Sequence, residues 1–108
     1  MMVGEKKMDI ELLKDNAKNV SELLKVMSNE WRLLILCYLA TEERSVGELE
    51  VLLGLGQSAL SQHLAVLRRE KLVRTRRSAQ SVYYTLDSDD VEVIMGTLYE
   101  RFCKTDTA

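Results

Sequence analysis

The chain's two cysteines, Cys37 and Cys103, and its single histidine, His63, are the side chains best suited to nucleophilic, redox or soft-metal chemistry. A thiol enzyme needs a base beside its cysteine and an oxyanion site. Neither cysteine has the histidine near it in sequence, and no glycine-rich catalytic loop is present, so the chain does not read as an enzyme. A closed zinc site within one subunit is not expected from two Cys with no His nearby, and no cofactor is expected. Two cysteines are too few for a disulfide scaffold. What remains is thiol redox chemistry or plain packing. Cys37 lies in LLILCYLA, an apolar helix segment where a small hydrophobe fills space, and free cysteine is among the most buried residue types. On the residues alone both readings stay open.

A second constellation is electrostatic. Residues 68–77 hold Arg68, Arg69, Lys71, Arg74, Arg76 and Arg77 against one acid, Glu70. That stretch carries +5, so the remainder carries −7 within a chain of net charge −2. A basic block on an acidic body suits a polyanion partner better than a merely solvated face. Upstream of it, QSALSQHLAVLRREK sets Leu60, Leu64 and Leu67 on one helix face. Gln57, Ser58, Ser61, Gln62 and Arg68 fall on the other. Small hydroxyls and amides without acids are the chemistry of a major-groove reader.

The elements that position these groups follow from periodicity. Residues 9–27 read as a helix with an apolar seam of Ile10, Leu13, Ala17, Val20, Leu24 and Met27, suited equally to a core or a subunit interface. Ser28 is expected to cap a second helix running to Leu39, with TEER as a polar connection. SVGELEVLLG carries a Ser45–Glu48 capping box and ends at Gly54. Two short helices around a tight Gly-containing turn form a helix-turn-helix. LVRTRRSAQSVYYTL then reads as two strands around a connection at residues 77–81, a basic wing whose Arg76, Arg77 and Gln80 can reach backbone or minor groove. A last helix starts near Asp87 or Ser88 and runs to Cys103. Val91, Met95, Leu98 and Phe102 make its apolar stripe, widened by Ile94 and Tyr99. Asp87, Asp89 and Asp90 lie at its start, and Arg101 and Lys104 at its end, as the macrodipole favours.

The expected fold is mainly α with a small β-hairpin. It is one winged helix-turn-helix domain over residues 1–108, with residues 1–8 flexible and helices 9–27 and 87–103 available for dimerisation. At 30% charged and 46% apolar residues it has a soluble, globular composition. It lacks an apolar run of roughly 20 residues for a membrane span and an h-region for a signal peptide, so a cytoplasmic location is expected. There thiols tend to be reduced or redox-active.

The segments LLKVMSNEWRLLILCYL and SVGELEVLLGLGQSALSQHLAVLRREKLVRTRRSAQSVYYTL, with the final helix, resemble the ArsR/SmtB family of bacterial winged-helix repressors, in family order over nearly the whole chain. The resemblance implies a homodimer formed by the first and last helices on palindromic double-stranded operator DNA, with helix 57–69 in the major groove. Half-sites would lie about 34 Å apart. Gly56 stands where a capping Ser is common, and Trp31 where a smaller or charged residue is usual. One familiar metal site would fall on Ser45 and Gly47, which are not ligands. Another would fall on the last helix, which offers Asp89, Asp90, Glu92 and Glu100 but no histidine.

Cys37 and Cys103 match the positions of a dithiol subgroup, that of BigR, SqrR and HlyU. The resemblance implies that the two approach within one subunit, and that bridging by reactive sulfur species (persulfide or polysulfide) or oxidants releases the DNA. Burial among leucines would make Cys37 the less reactive thiol. Cys103, near a frayed end beside Arg101 and Lys104, would then react first and Cys37 resolve it. A regulator responding to peroxide only, to a metal or to no ligand is the other reading. Within the DNA interface, Gln57, Ser58, Ser61 and Gln62 are expected at bases, and His63 and Arg68 at phosphates.

Overall fold

The computed structural model describes residues 8–103. Most of the expected flexible segment, and Lys104, lie outside them. Helix α1 (Ile10–Met27) begins at Asp9, whose carboxylate accepts from the Glu11 and Leu12 amides. Ser28, the cap expected for the second helix, instead closes the first: its N–H and its hydroxyl both donate to the Lys25 carbonyl. Asn29 opens α2 (Glu30–Thr41), its Oδ1 accepting from the Trp31 and Arg32 amides at 2.9 and 3.0 Å. The backbone explains the choice. Asn29 is extended, as an N-cap must be, whereas Ser28 has ψ near zero. Trp31 is half-buried on the first turn of α2.

Glu43 and Arg44 leave the expected polar connection. Arg44–Ser45 form a short strand, β1, which pairs antiparallel with a wing strand. Helix α3 (Val46–Leu53) starts with the capping box intact. Ser45 Oγ accepts from the Glu48 amide at 3.1 Å, and Glu48 Oε1 accepts from the Ser45 amide at 2.8 Å. It ends at Gly54, whose φ of 69° is left-handed. Helix α4 (Gln57–Arg69) covers the expected span, with Gly56 as an N-cap that offers no side-chain bond.

The wing is β2 (Val73–Ser78) and β3 (Ser81–Leu86), and the sheet order is β1-β3-β2. The connection is tighter than expected: Ser78 pairs with Ser81, so Arg77 belongs to β2 and only Ala79 and Gln80 turn. Ser88 caps α5 (Asp89–Leu98) by accepting from the Val91 amide, and a π-helical turn, Tyr99–Cys103, follows. That turn corrects the expected stripe. Val91 and Met95 are buried, with Ile94 and Leu98 packed beside them, but Phe102 is 81% exposed. A wider turn advances each residue by less than 100°, so Phe102 drops out of phase with the 3.6-residue pattern.

The core is Ile35, Leu36 and Leu39 of α2 against Leu49, Leu60, Leu64, Leu67, Leu72, Val73, Tyr84, Val91 and Met95. Helix α1 contributes only Val26 and Met27 to it, while Ile10, Leu13, Val20 and Leu24 of its seam stay exposed. No helix among the described residues is long and apolar enough to cross a membrane.

A left-handed residue joins reading helix and wing. The Lys71 amide donates to the Arg68 carbonyl and the Leu72 amide to the Leu67 carbonyl, the paired bonds of a Schellman motif, with Lys71 at φ 63°. Buried Leu72 and Leu67 provide its apolar contact. A lysine at this position bears the Cβ penalty that glycine avoids. Lys71→Gly should therefore raise unfolding stability by roughly 1 kcal/mol, read as a higher urea midpoint at unchanged m-value.

Candidate nucleic-acid interface and thiol pair

Helix α4 divides cleanly. Leu60, Leu64 and Leu67 are buried, while Gln57, Ser58, Ser61, Gln62 and Arg68 are exposed on the opposite side. At 100° per residue those five span an arc of about 140°. Among the described residues, none of their side chains makes a hydrogen bond or ion pair, so their donors and acceptors are open to a ligand. The N-terminus of α4 adds amides that no side chain satisfies, together with the positive end of the helix dipole. A Cβ on Gly56 would meet nothing within 4 Å. Space therefore does not forbid a capping side chain there.

On the same wheel His63 lies about 100° beyond Gln62, beside Leu67, and is half-buried. Burial, with the nearby Arg32 charge adding to it, pushes its pKa below the ordinary 6.5. The imidazole is therefore neutral near pH 7 and brings no cation to a phosphate, though it can still donate a hydrogen bond. Arg32 is itself held by donating Nε to the Val26 carbonyl at 2.7 Å, which ties α2 to the end of α1.

The basic block is less free than its charge count implies. Arg74 pairs with Asp87 at 3.0 Å, Arg69 lies 3.9 Å from Glu70, and Arg76 is claimed by Glu43. Nε and Nη2 of Arg76 donate to the two Glu43 carboxylate oxygens at 2.8 and 2.9 Å, and its guanidinium stacks 4.5 Å from the Tyr83 ring centroid. The Arg76 hydrogen bond, with help from Thr85, holds the Glu43 carboxyl below its ordinary 4.5. The pair is thus fully formed above that value and is lost as pH falls through the lower folded one. Among the described residues Arg68, Lys71 and Arg77 make no ion pair. Gln80 stands at the exposed wing tip beside Ala79, whose φ is 54°. Glu43 and Asp87 are the residues that sequence reasoning missed here. Their partners are distant in sequence, and only the strand register Arg74↔Thr85 and Arg76↔Tyr83 reveals the outer sheet face they share.

The thiols fall elsewhere. Cys37 and Cys103 are both free and both exposed. This overturns the expected burial of Cys37 among leucines. Helix α2 is apolar on almost all sides, and its core face is Ile35, Leu36 and Leu39, so Cys37 points away with Leu34 and Ala40. The burial of Cys37, one of the two grounds on which Cys103 would react first, is thereby removed. Cys103 closes the π-helical turn that continues α5, and α5 in turn packs on α2, the helix of Cys37. Among the described residues no three His, Cys, Asp or Glu side chains gather as a metal site.

Comparison with known proteins agrees with this layout. The family model described as "Bacterial regulatory protein, arsR family" matches residues 29–75. The chain is 50% identical over 97 residues to the transcriptional activator HlyU of Vibrio cholerae, covering 90% of each. It is 41% identical over 93 residues to the biofilm growth-associated repressor of Xylella fastidiosa, covering 86% of this chain and 82% of that one. Among solved structures, reduced HlyU from Vibrio cholerae superposes with a TM-score of 0.79 at 54% identity, over 87% of this chain and 98% of that one. The repressor BigR from Xylella fastidiosa gives 0.85 at 40% identity, over 91% and 100%. With its reading helix, wing and core order shared across such relatives, the chain belongs to the arsR family of bacterial regulatory proteins, winged-helix DNA-binding regulators of transcription.

Proposed function

We propose that the protein is a homodimeric repressor that binds a palindromic operator through α4 and the wing, and that lets go when Cys37 and Cys103 are bridged by reactive sulfur species or an oxidant. The observation that carries the thiol part is the exposure of both cysteines, one on α2 and one on the turn that continues α5, the helix packed on α2. An exposed thiol is open to attack in a way a core filler is not. The Vibrio relative was solved in a form called reduced, which fits a redox-responsive lineage. The relatives' names divide between activator and repressor. A reading head seated on its operator can act by steric occlusion of a promoter.

The exposed seam of α1 and the outward side of α5, with Val93, Tyr99 and Phe102, supply the apolar faces for the dimer. In each subunit Gln57, Ser58, Ser61 and Gln62 face bases, and Arg68 and Arg77 face phosphates. Gln80 reaches the flanking backbone or minor groove. Bridging α2 to the end of α5 changes the relation between the dimer face and the reading head. A differential of a few kcal/mol between the two states is enough to move the dimer from mostly bound to mostly free.

Three outcomes follow. Gln62→Ala lowers the ratio of operator to random-duplex affinity, whereas Arg77→Ala weakens both and reduces the salt slope by about one; the reverse pattern in a salt-titrated binding assay would exchange these roles. Neutral His63 contributes no counterion release, so His63→Gln leaves the salt slope at pH 7 unchanged. Polysulfide, disulfide and peroxide, applied separately to reduced protein, distinguish the inducers by the mass of the Cys37–Cys103 peptide pair and by operator affinity on the same samples. The bridged form should bind at least about tenfold more weakly, and equal affinities of reduced and bridged protein would sink the thiol switch.

A further inference from the structure

Glu43 is an acid at the base of a DNA-reading wing, where negative charge repels phosphate. Its geometry is nonetheless highly specified. Both carboxylate oxygens accept from Arg76 in a bidentate pair, and Oε2 also accepts from the Thr85 hydroxyl at 3.2 Å. The Arg76 guanidinium is fixed from another side by Tyr83, its cross-strand partner. Glu43 follows directly on the end of α2 and precedes β1, whose Arg44 and Ser45 pair with Tyr84 and Tyr83 of β3. Arg44 in turn stacks on Tyr38 of α2 and donates to the Thr41 hydroxyl. One short segment thus binds the wing sheet to the helix on which α4 also packs.

A two-stranded hairpin is marginal alone, and β1 adds only two residues of ladder. A bidentate Arg–carboxylate pair supplies direction as well as attraction, because the two planar groups fix each other's orientation. We propose that Glu43 is a positioning residue for operator recognition: through Arg76 it sets the angle of the wing to α2 and hence to the reading helix. Arg76 on this view holds the wing and does not reach for phosphate. The proposal rests on the wing meeting DNA, as in the function proposed above.

Charge and positioning predict opposite signs. If Glu43 were only a nearby negative charge, removing it would tighten binding to every duplex. As a positioning residue, Glu43→Ala weakens operator binding roughly three- to tenfold, the scale of a well-formed bidentate pair, while random-duplex binding stays level or tightens. The loss must also depend on Arg76. In a cycle of Glu43→Ala, Arg76→Ala and the double variant, Glu43→Ala should cost nothing further once Arg76 is gone. Reduced protein is used throughout, with thermal unfolding confirming that each variant is folded. Operator binding by Glu43→Ala equal to or tighter than wild type overturns the proposal, as does an equal loss with and without Arg76. Arg77→Ala in the same assay separates the two readings. If it has no effect, the wing does not meet DNA and both fall. If it weakens binding while Glu43→Ala does not, only the role of Glu43 falls.

Discussion

Helix α2 is the element on which the domain leans. It packs against α1, α3, α4, α5 and β3, and Ile35 and Leu36 are wholly buried between them. A helix with this many neighbours must be apolar nearly all round, as EWRLLILCYLAT is. Interiors packed at crystal-like density transmit displacement instead of absorbing it. A movement of α2 therefore reaches α4, the wing, α1 and α5 together. The proposed chemistry shares this location: one thiol rides on this helix, and the residues that follow it lead into the wing.

The elements whose information is local were legible in the sequence. The Leu60, Leu64 and Leu67 spacing delimited α4, and the Ser45–Glu48 box and Gly54 marked both ends of α3. Each is a short-range pattern that a chain must obey wherever it packs. What escaped was set by distant partners. The β1 strand exists because β3 offers it a ladder. The Arg76–Glu43 pair left no local sign because its two members lie 33 residues apart. Cys37 looked buried because a helix that is apolar on every side gives no periodic sign of which side faces out.

Phe102 shows a different limit. Extrapolating a 3.6-residue stripe to the end of α5 assumes that the helix keeps its pitch, and the π-helical turn breaks that assumption at Tyr99. The change of pitch turns an aromatic outward beside Cys103. Cys103, which closes that turn, is exposed as well.

Helix α1 is held within its own subunit by its C-terminal turns, through Leu23, Val26 and Met27 and the Arg32 bond to the Val26 carbonyl. Helix formation in isolation is costly in water, and in the proposed dimer the upstream turns gain burial from the second subunit. Folding and association are then linked by mass action. At low copy number the population shifts toward chains whose first helix is frayed. In that dimer the concentration of the regulator thereby sets how much of it exists with α1 fully formed.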